Sequence, residues 1–329
     1  MKDMNAMRDT DATREPNELT DLAAAGDVTG ETTARRARRR GRTERTGRTG
    51  AAASANRASR AERWSGYALL TVMAVAVVVP FLSVFLASLR PAGEAVTGLA
   101  WPQEWSLANY RRAWTVAGFS DLIRSSLVIA VGVVPASLVL ASLAGYALGT
   151  MRLPGGNAVA AFFIAGLTIP VELIVVPLYF DLRAVGLTNT YLGVILVEIA
   201  LFMPFSVFWM RTHFRATPPS LVEAARIDGA SSATILLRVL LPLARPSLMT
   251  LGVLVFMWSW NQFLLVLVLI QDATLRTAPA GLGFFVGQNN TDVPTLAAGT
   301  VIVMLPIMIV YLLFQRSFVT GLLQGAMKG

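Results

Sequence analysis

The sequence contains no cysteine, one histidine and only two lysines among its 329 residues. The absence of cysteine excludes disulfides and thiolate metal sites. The two lysines, Lys2 and Lys328, stand at the extremes of the chain, and no GxxxxGK(S/T) phosphate-binding loop occurs. Because such a loop needs its lysine against the terminal phosphates, the chain lacks a nucleotide-binding motif. We expect neither a cofactor nor a metal, and any ATP hydrolysis must come from a partner.

The single histidine also limits catalysis. His213 follows the fourth apolar segment, and a nucleophile–base pair or a metal triad has no other histidine or cysteine to use. We therefore predict that His213 is an interfacial or loop residue and that the chain is not an enzyme.

Charged residues are scarce at 15%, whereas 54% of the residues are hydrophobic. A soluble domain could not bury this excess, so the bilayer must be the solvent. Six segments are long enough to cross ~30 Å of hydrocarbon at ~20 residues each. They span residues 66–89, 125–148, 158–180, 191–209, 247–270 and 297–314. The expected fold is an all-α membrane protein with six transmembrane helices.

The first fifth of the chain differs from the rest. Residues 1–63 have almost no large apolar side chains and include an arginine-rich run at 35–48, so we predict a disordered basic tail ahead of a membrane domain at 64–329. Arginine beside a first span favours a cytoplasmic N-terminus, and arginines between 211 and 245 agree with that orientation. We expect a multi-pass plasma-membrane protein with both termini cytoplasmic, in contact with lipid and not with nucleic acid.

The polar loop at about 215–245 carries the most structured pattern in the chain. Ser220 and Glu223 have the spacing of a capping box, and Gly229 suits the left-handed turn that ends a helix. Ser231 is placed to cap a second helix, which Pro242 should end. These signals predict a helix-turn-helix docking element, although the same signals occur in ordinary helical turns.

The loop resembles the signature loop of permease subunits of bacterial ATP-binding-cassette (ABC) importers. The shared pattern is EAA, three residues, glycine, and an apolar helix ending in LP. The resemblance covers about 66–329 and is closest to the sugar-importer branch, the maltose-type second permease. Further motifs that carry it are RLPGGN at 152–157, IPVELIVVPLY at 169–179, GLTNTYLGVIL at 186–196, WSWNQF at 258–263 and QRSFVTGLLQGAMKG at 315–329.

This resemblance implies the type I ABC importer permease fold, with the helix-turn-helix loop in the cytoplasm. It also implies three kinds of protein partner: a homologous permease in a heterodimer, two ATP-binding-cassette ATPase subunits, and an extracytoplasmic solute-binding protein. The loop would couple the ATPase to the membrane helices by moving as a rigid body. The residues that would carry this coupling are Glu223, Ala224, Ala225, Asp228, Gly229, Ala230 and Pro242.

Polar residues within the predicted spans are candidates for the solute path, because burying them in lipid is costly. Sugars bind flat aromatic faces together with amide and carboxylate groups. The candidates are Glu172, Trp258, Trp260, Asn261 and Gln262. The family usually has aspartate where Gln262 stands. The alternative interpretation is that the tryptophans pack and Asn261 bonds between helices. Pro170 and Pro177 flank Glu172, so we predict that the third span is broken or bent.

Three alternative functions follow from the same residues. A stand-alone secondary carrier or channel would need coupling-ion sites or a repeated bundle, and neither is visible in the sequence. A structural or signalling membrane protein would use the loop only to hold a cytoplasmic partner. An ABC importer permease for a non-sugar solute, such as a polyol or a sugar-phosphate, would keep the architecture.

Overall fold

The computed structural model describes residues 63–94, 98–99, 101–286 and 292–326, with side-chain surroundings up to residue 315. The predicted disordered tail lies outside the described residues, apart from Arg63. The chain divides into two compact units, residues 1–77 and 78–329. Within the described ranges all regular elements are helices, apart from one isolated bridge residue at Val286. This confirms the all-α prediction.

Twelve helices carry labels below. They are α1 (Arg63–Ser88), α2 (Ala108–Val116), α3 (Phe119–Thr150), α4 (Gly156–Gly166), α5 (Val171–Ala184), α6 (Tyr191–Arg215), α7 (Pro219–Ile227), α8 (Ser232–Leu243), α9 (Arg245–Trp260), α10 (Leu264–Leu269), α11 (Ala278–Gly281) and α12 (Val293–Ala326).

Four of the described helices, α1, α3, α6 and α12, are long and apolar enough to cross a membrane. Two bent pairs raise the number to six if each pair counts as one span. The first pair is α4 and α5, which meet at 100°. Pro170 precedes α5 with an extended backbone, so the prediction of a bent third span is confirmed. The second pair is α8 and α9, which meet at 79°.

The predicted span over 247–270 is interrupted and is not one continuous helix. α9 ends at Trp260, and α10 begins only at Leu264. The side-chain amide of Asn261 donates to the carbonyl oxygen of Met257 at 2.8 Å, while Gln262 N–H turns back to Ser259 O at 3.2 Å. Local bonds of this kind offer the backbone an alternative to the helical ladder.

α3 and α6 form the closest helix pair of the bundle. At Gly145, a Cβ atom would lie 2.7 Å from Met210 Cβ and 2.8 Å from Arg211 N, and Gly149 approaches the same helix. Only glycine permits this separation, so the two glycines allow the close contact of α3 with α6. The Arg211 guanidinium also donates to Leu148 O at 3.4 Å, near the end of α3.

The N-terminal end of α6 is fixed by a side-chain clamp. Asn189 has a left-handed backbone (φ 59°), and its Oδ1 accepts the N–H groups of Gln271 at 3.1 Å and Asp272 at 2.9 Å. Asn189 N–H in turn donates to Leu269 O at 2.8 Å. The clamp therefore joins the start of α6 to the segment that follows α10.

Candidate docking loop and solute cavity

The first helix of the docking loop (residues 215–245) begins without the predicted capping box. α7 starts at Pro219, with Pro218 as its N-cap residue and no side-chain cap hydrogen bond. Proline suits the first helical position, because its φ is preset and its missing N–H would be unpaired there anyway. Ser220 is therefore already inside the helix and cannot act as the cap, so the predicted start at Ser220 is wrong by one residue.

The turn between the two loop helices follows the prediction. Gly229 has φ 78°, the left-handed conformation expected of a helix-ending glycine. Gly229 N–H donates to Arg226 O at 3.0 Å, and Ala230 N–H donates to Ala225 O at 2.9 Å. These two bonds form a Schellman motif. Ser231 then caps α8, as predicted, by accepting the N–H of Thr234 at 3.2 Å.

Pro242 does not end the second helix, contrary to the prediction. Residues Ile235–Leu240 form a π-helical segment, and Pro242 lies in the short α-helical turn that follows. It lies in the last turn of α8, where its missing N–H costs the helix at most one hydrogen bond. The helix ends at Leu243, and the chain bends at Ala244 into α9.

One side of the docking loop is built into the bundle. Val222 of α7 and Ile235, Leu236 and Leu240 of α8 are buried in the same apolar cluster as Met210 of α6. These contacts tie both loop helices to the membrane helices through apolar packing, and not through the backbone alone.

The two alanines of the EAA motif point in different directions. Ala224 is exposed, whereas Ala225 is half-buried against the apolar cluster, as is Ala230. The two alanines do not form one small face, because residues one apart on a helix are separated by about 100°. Ala225 and Ala230 support the turn from within.

The opposite side of the loop faces away from the bundle. Glu223, Asp228 and Gly229 are exposed there, as the prediction of a docking surface requires. Two apolar side chains were missed from the sequence: Ile227 is 86% exposed and Leu237 is 62% exposed. An apolar residue directly before Asp228 in a polar loop was the signal that could have identified Ile227. The exposed side thus combines acidic and apolar groups.

An apolar cavity of about 580 Å³ lies beside the middle of α6. Trp258 of α9 forms part of its wall with two aromatic residues of α6, at ring-centroid distances of 5.6 Å to Phe202 and 5.0 Å to Phe205. Residues on both sides of the α4–α5 bend complete the lining, including Gly166, Ile169, Val171 and Ile174. The sequence did not single out Phe202 or Phe205.

Trp260, unlike Trp258, does not line the cavity. It is only 1% exposed, stacks on Phe256 with ring centroids 5.6 Å apart, and donates its indole N–H to Val303 O at 3.1 Å. Its role in this chain is to pack α9 against α12. The prediction that Trp260 lines the solute path is therefore corrected in favour of the packing alternative.

The other three path candidates are close to cavity-lining residues along the chain, but they do not line the cavity. Glu172 is exposed in the first turn of α5, next to the lining residue Val171. Asn261 is exposed and Gln262 is half-buried, and both lie in the break between α9 and α10. Of the five predicted path residues, the cavity contains Trp258 alone. Glu172, Asn261 and Gln262 remain predictions.

A further acidic residue lies in the interior. Glu198 of α6 is fully buried near Ser259, which is 2% exposed, but neither its carboxyl oxygens nor the Ser259 hydroxyl makes a hydrogen bond within the described residues. Burying a carboxyl among apolar helices is costly unless a polar group interacts with it. Glu198 thus belongs to the internal contact between α6 and α9. His213 lies in the last turn of α6, half-buried and edge-on to Phe214, as expected for a residue entering the loop.

Comparison with known proteins identifies the family. Residues 137–323 match the family described as "Binding-protein-dependent transport system inner membrane component". The chain is 34% identical over 265 residues to the diacetylchitobiose uptake system permease protein of Streptomyces coelicolor, covering 80% of this chain and 88% of that protein. It is also 34% identical to the trehalose transport system permease protein of Mycobacterium tuberculosis, over 80% and 94% of the two chains.

A solved structure gives the same fold. It is a bacterial ABC transporter involved in the import of the acidic polysaccharide alginate, matched with a TM-score of 0.69 at 23% identity, over 80% of this chain and 98% of that chain. The chain therefore belongs to the binding-protein-dependent transport inner-membrane components. It is a multi-pass membrane subunit of an ABC importer, a transport protein whose family works with a binding protein and an ATPase.

Proposed function

We propose that this chain carries a sugar through the membrane as half of an ATP-driven, binding-protein-dependent importer. The observation that carries the proposal is the aromatic wall of the cavity, made by Trp258, Phe202 and Phe205 at mid-depth of the bundle. Sugar rings present C–H faces that pack on aromatic rings. The two relatives named for diacetylchitobiose and trehalose uptake support the same substrate class.

The partner expected to complete the path is a second, homologous permease. The cavity is partly open and apolar, and its wall includes the bent region between α4 and α5. If this chain formed the path alone, the cavity wall opposite the aromatic residues would need polar groups to bind sugar hydroxyls. In the proposed heterodimer, Glu172, Asn261 and Gln262 supply polar groups to the solute path outside the cavity lining, and the second permease supplies the facing wall.

The docking loop is proposed to bind an ATP-binding-cassette ATPase. Its exposed side offers the carboxylates of Glu223 and Asp228 to basic groups, and the apolar Ile227 to a pocket. Ala224 adds little bulk to this surface, while Gly229 and Ala230 set the turn. Closure of the ATPase pair on ATP would then displace the whole loop. Pro242, in the final turn of α8, would move with it.

The apolar packing of the loop supports transmission of this displacement. Val222, Ile235 and Leu236 are buried against the bundle, so α7 and α8 move with the helices they contact. The bend at Ala244 connects the loop directly to α9, which ends beside Trp258. Movement of the loop would therefore reach the cavity wall through one helix of 16 residues.

The proposed orientation has both termini in the cytoplasm. The support is the distribution of arginine, because Arg211, Arg226 and Arg238 would then face the cytoplasm with the docking loop. The basic tail at 1–63 would lie on the same side, beside the anionic lipid surface, and the membrane domain would occupy 64–329.

Uptake of labelled sugars tests the proposal. The full chain, its partner permease and the ATPase are reconstituted in phospholipid vesicles, and a panel of labelled mono- and oligosaccharides is offered with and without ATP and the binding protein. The expected result is uptake of one sugar class that requires both ATP and the binding protein. Uptake abolished by an ionophore but indifferent to ATP would contradict the importer mechanism.

A negative sugar panel has its own interpretation. If no sugar is taken up while a polyol or sugar-phosphate stimulates the ATPase, the carbohydrate assignment is wrong and the architecture stands. If the ATPase does not associate with the chain at all, the proposed docking role is wrong.

A further inference from the structure

Three of the seven tryptophans fall within one short segment between two spans. Trp101, Trp105 and Trp114 lie just before and within α2, and they are 70%, 63% and 46% exposed. Leu107, between them, is 71% exposed. Large apolar side chains exposed together mark a surface that is covered in the working protein.

The position of this segment is fixed by its bonds to the end of α1. The side-chain amide of Asn109 donates to the carbonyl oxygens of Ser88 and Arg90, and Ser106 N–H donates to Leu89 O at 2.8 Å. The Tyr110 hydroxyl bonds the Ser88 hydroxyl at 2.7 Å. α2 is therefore held at the level where α1 ends.

The other end of α2 is held by the next span. Only residues 117 and 118 separate α2 from α3, and Ala113 is completely buried. Arg112 pairs with Asp292 at 3.3 Å, just before α12 begins. Since α1, α3 and α12 are all long enough to span the membrane, the ends that α2 contacts lie at one face of the bilayer.

We propose that residues 101–116 form an interfacial anchor, in which Trp101, Trp105 and Trp114 lie among the lipid headgroups. Tryptophan favours this zone, because its ring is apolar and its indole N–H still reaches water or a headgroup oxygen. The exposed Arg111 adds a guanidinium that can bind a lipid phosphate.

The bilayer fits this surface better than another protein does, because the surface continues that of the spans. Phe85 near the end of α1 is 46% exposed, and Leu127 near the start of α3 is also 46% exposed. These side chains belong to helices that face lipid. The anchor is joined to both helices at the same level and extends their apolar surface into the headgroup zone.

Spin-label accessibility tests the anchor, and the natural absence of cysteine makes the chain suitable for single labels. The reporter is Leu107→Cys in the full chain, reconstituted with its partner permease in phospholipid vesicles without the ATPase, so that Ile227 stays exposed to water. Val131→Cys, 69% exposed on α3, is the control inside the bilayer, and Ile227→Cys is the control in water. The ratio of collisions with oxygen to collisions with a water-soluble nickel chelate measures depth.

The anchor predicts that the Leu107 ratio lies between the two controls, before and after addition of the binding protein. Trp105→Ala should shift it toward the Ile227 value, whereas Trp105→Tyr should preserve it, because tyrosine also favours the interface. A Leu107 ratio equal to that of Ile227 would overturn the proposal. A label shielded only after the binding protein is added would also overturn it and would assign the surface to that protein.

Discussion

The backbone N–H of Ala230 donates to the carbonyl oxygen of Ala225 at 2.9 Å, across the left-handed Gly229. Together with the bond from Gly229 N–H to Arg226 O, it closes the turn between α7 and α8. Both alanines also pack against the apolar cluster of the bundle. The turn therefore determines how the exposed residues of the docking loop are presented.

Substitution of Gly229 by valine should distort this turn. A β-branched residue at φ 78° is strained, and the left-handed conformation costs an ordinary residue about 1–2 kcal/mol. We expect the Gly229→Val protein to insert into the membrane but to lose association with the ATPase, measured by co-purification. Gly229→Asn is the control, because asparagine tolerates this backbone and a Cβ here meets open space. Equal loss in both variants would contradict a backbone cause.

Substitution of Gly145 by alanine should separate α3 from α6. The added methyl group would stand 2.7 Å from Met210 Cβ and 2.8 Å from a backbone nitrogen, neither of which can rotate away. We expect a destabilisation of about 1–3 kcal/mol, measured as a lower unfolding temperature in detergent. Gly132→Ala is the matched control on the same helix, since it meets the flexible side chain of Ile195. Its unfolding temperature should fall less.

Substitution of Asn189 by alanine should release the clamp after α10. The change removes the acceptor of two backbone N–H groups, each bond contributing about 0.5–1.5 kcal/mol, and it strains the left-handed backbone. We expect faster hydrogen exchange at Gln271 and Asp272. Asn189→Asp should preserve protection, because aspartate keeps the acceptor and tolerates this backbone. Unchanged exchange in the alanine variant would show that the clamp is not needed.

Trp258 and Trp260 should respond differently to substitution. Trp258→Leu removes a ring from the cavity wall, so we expect a higher KM for the transported solute and little change in unfolding temperature, with Trp258→Phe close to wild type. Trp260→Phe removes the indole hydrogen bond to the Val303 oxygen, which contributes about 0.5–1.5 kcal/mol, and should lower the unfolding temperature instead. The reverse pattern would contradict the assignment of Trp258 to the cavity.

Features with a single physical cause were predictable from the sequence. Apolar composition required a membrane fold, Gly229 alone could take the left-handed turn, and Ser231 was placed to cap α8. Pro170 likewise marked the bend between α4 and α5. In the last three cases one residue determines the local backbone, so the surroundings cannot reverse the outcome.

Features that depend on competition between local signals were not predictable. At Ser220 a capping pattern competed with Pro219, and proline occupied the first helical position. Pro242 was accommodated after a π-helical segment that no sequence pattern announced. Trp258 and Trp260 are two residues apart, and only the packing of α9 against α6 and α12 decides which one faces the cavity.

The most direct test of the account is a photo-crosslink from the docking loop to the ATPase. A benzophenone label is attached to Ile227→Cys, the most exposed apolar side chain of the loop, in the otherwise cysteine-free chain. In the assembled transporter we predict a crosslink to the ATPase subunit that changes in yield when ATP is added and weakens in the Gly229→Val background. Val131→Cys on α3 should give none. Efficient ATP-driven uptake by a complex in which Ile227 never crosslinks to the ATPase would contradict the central claim.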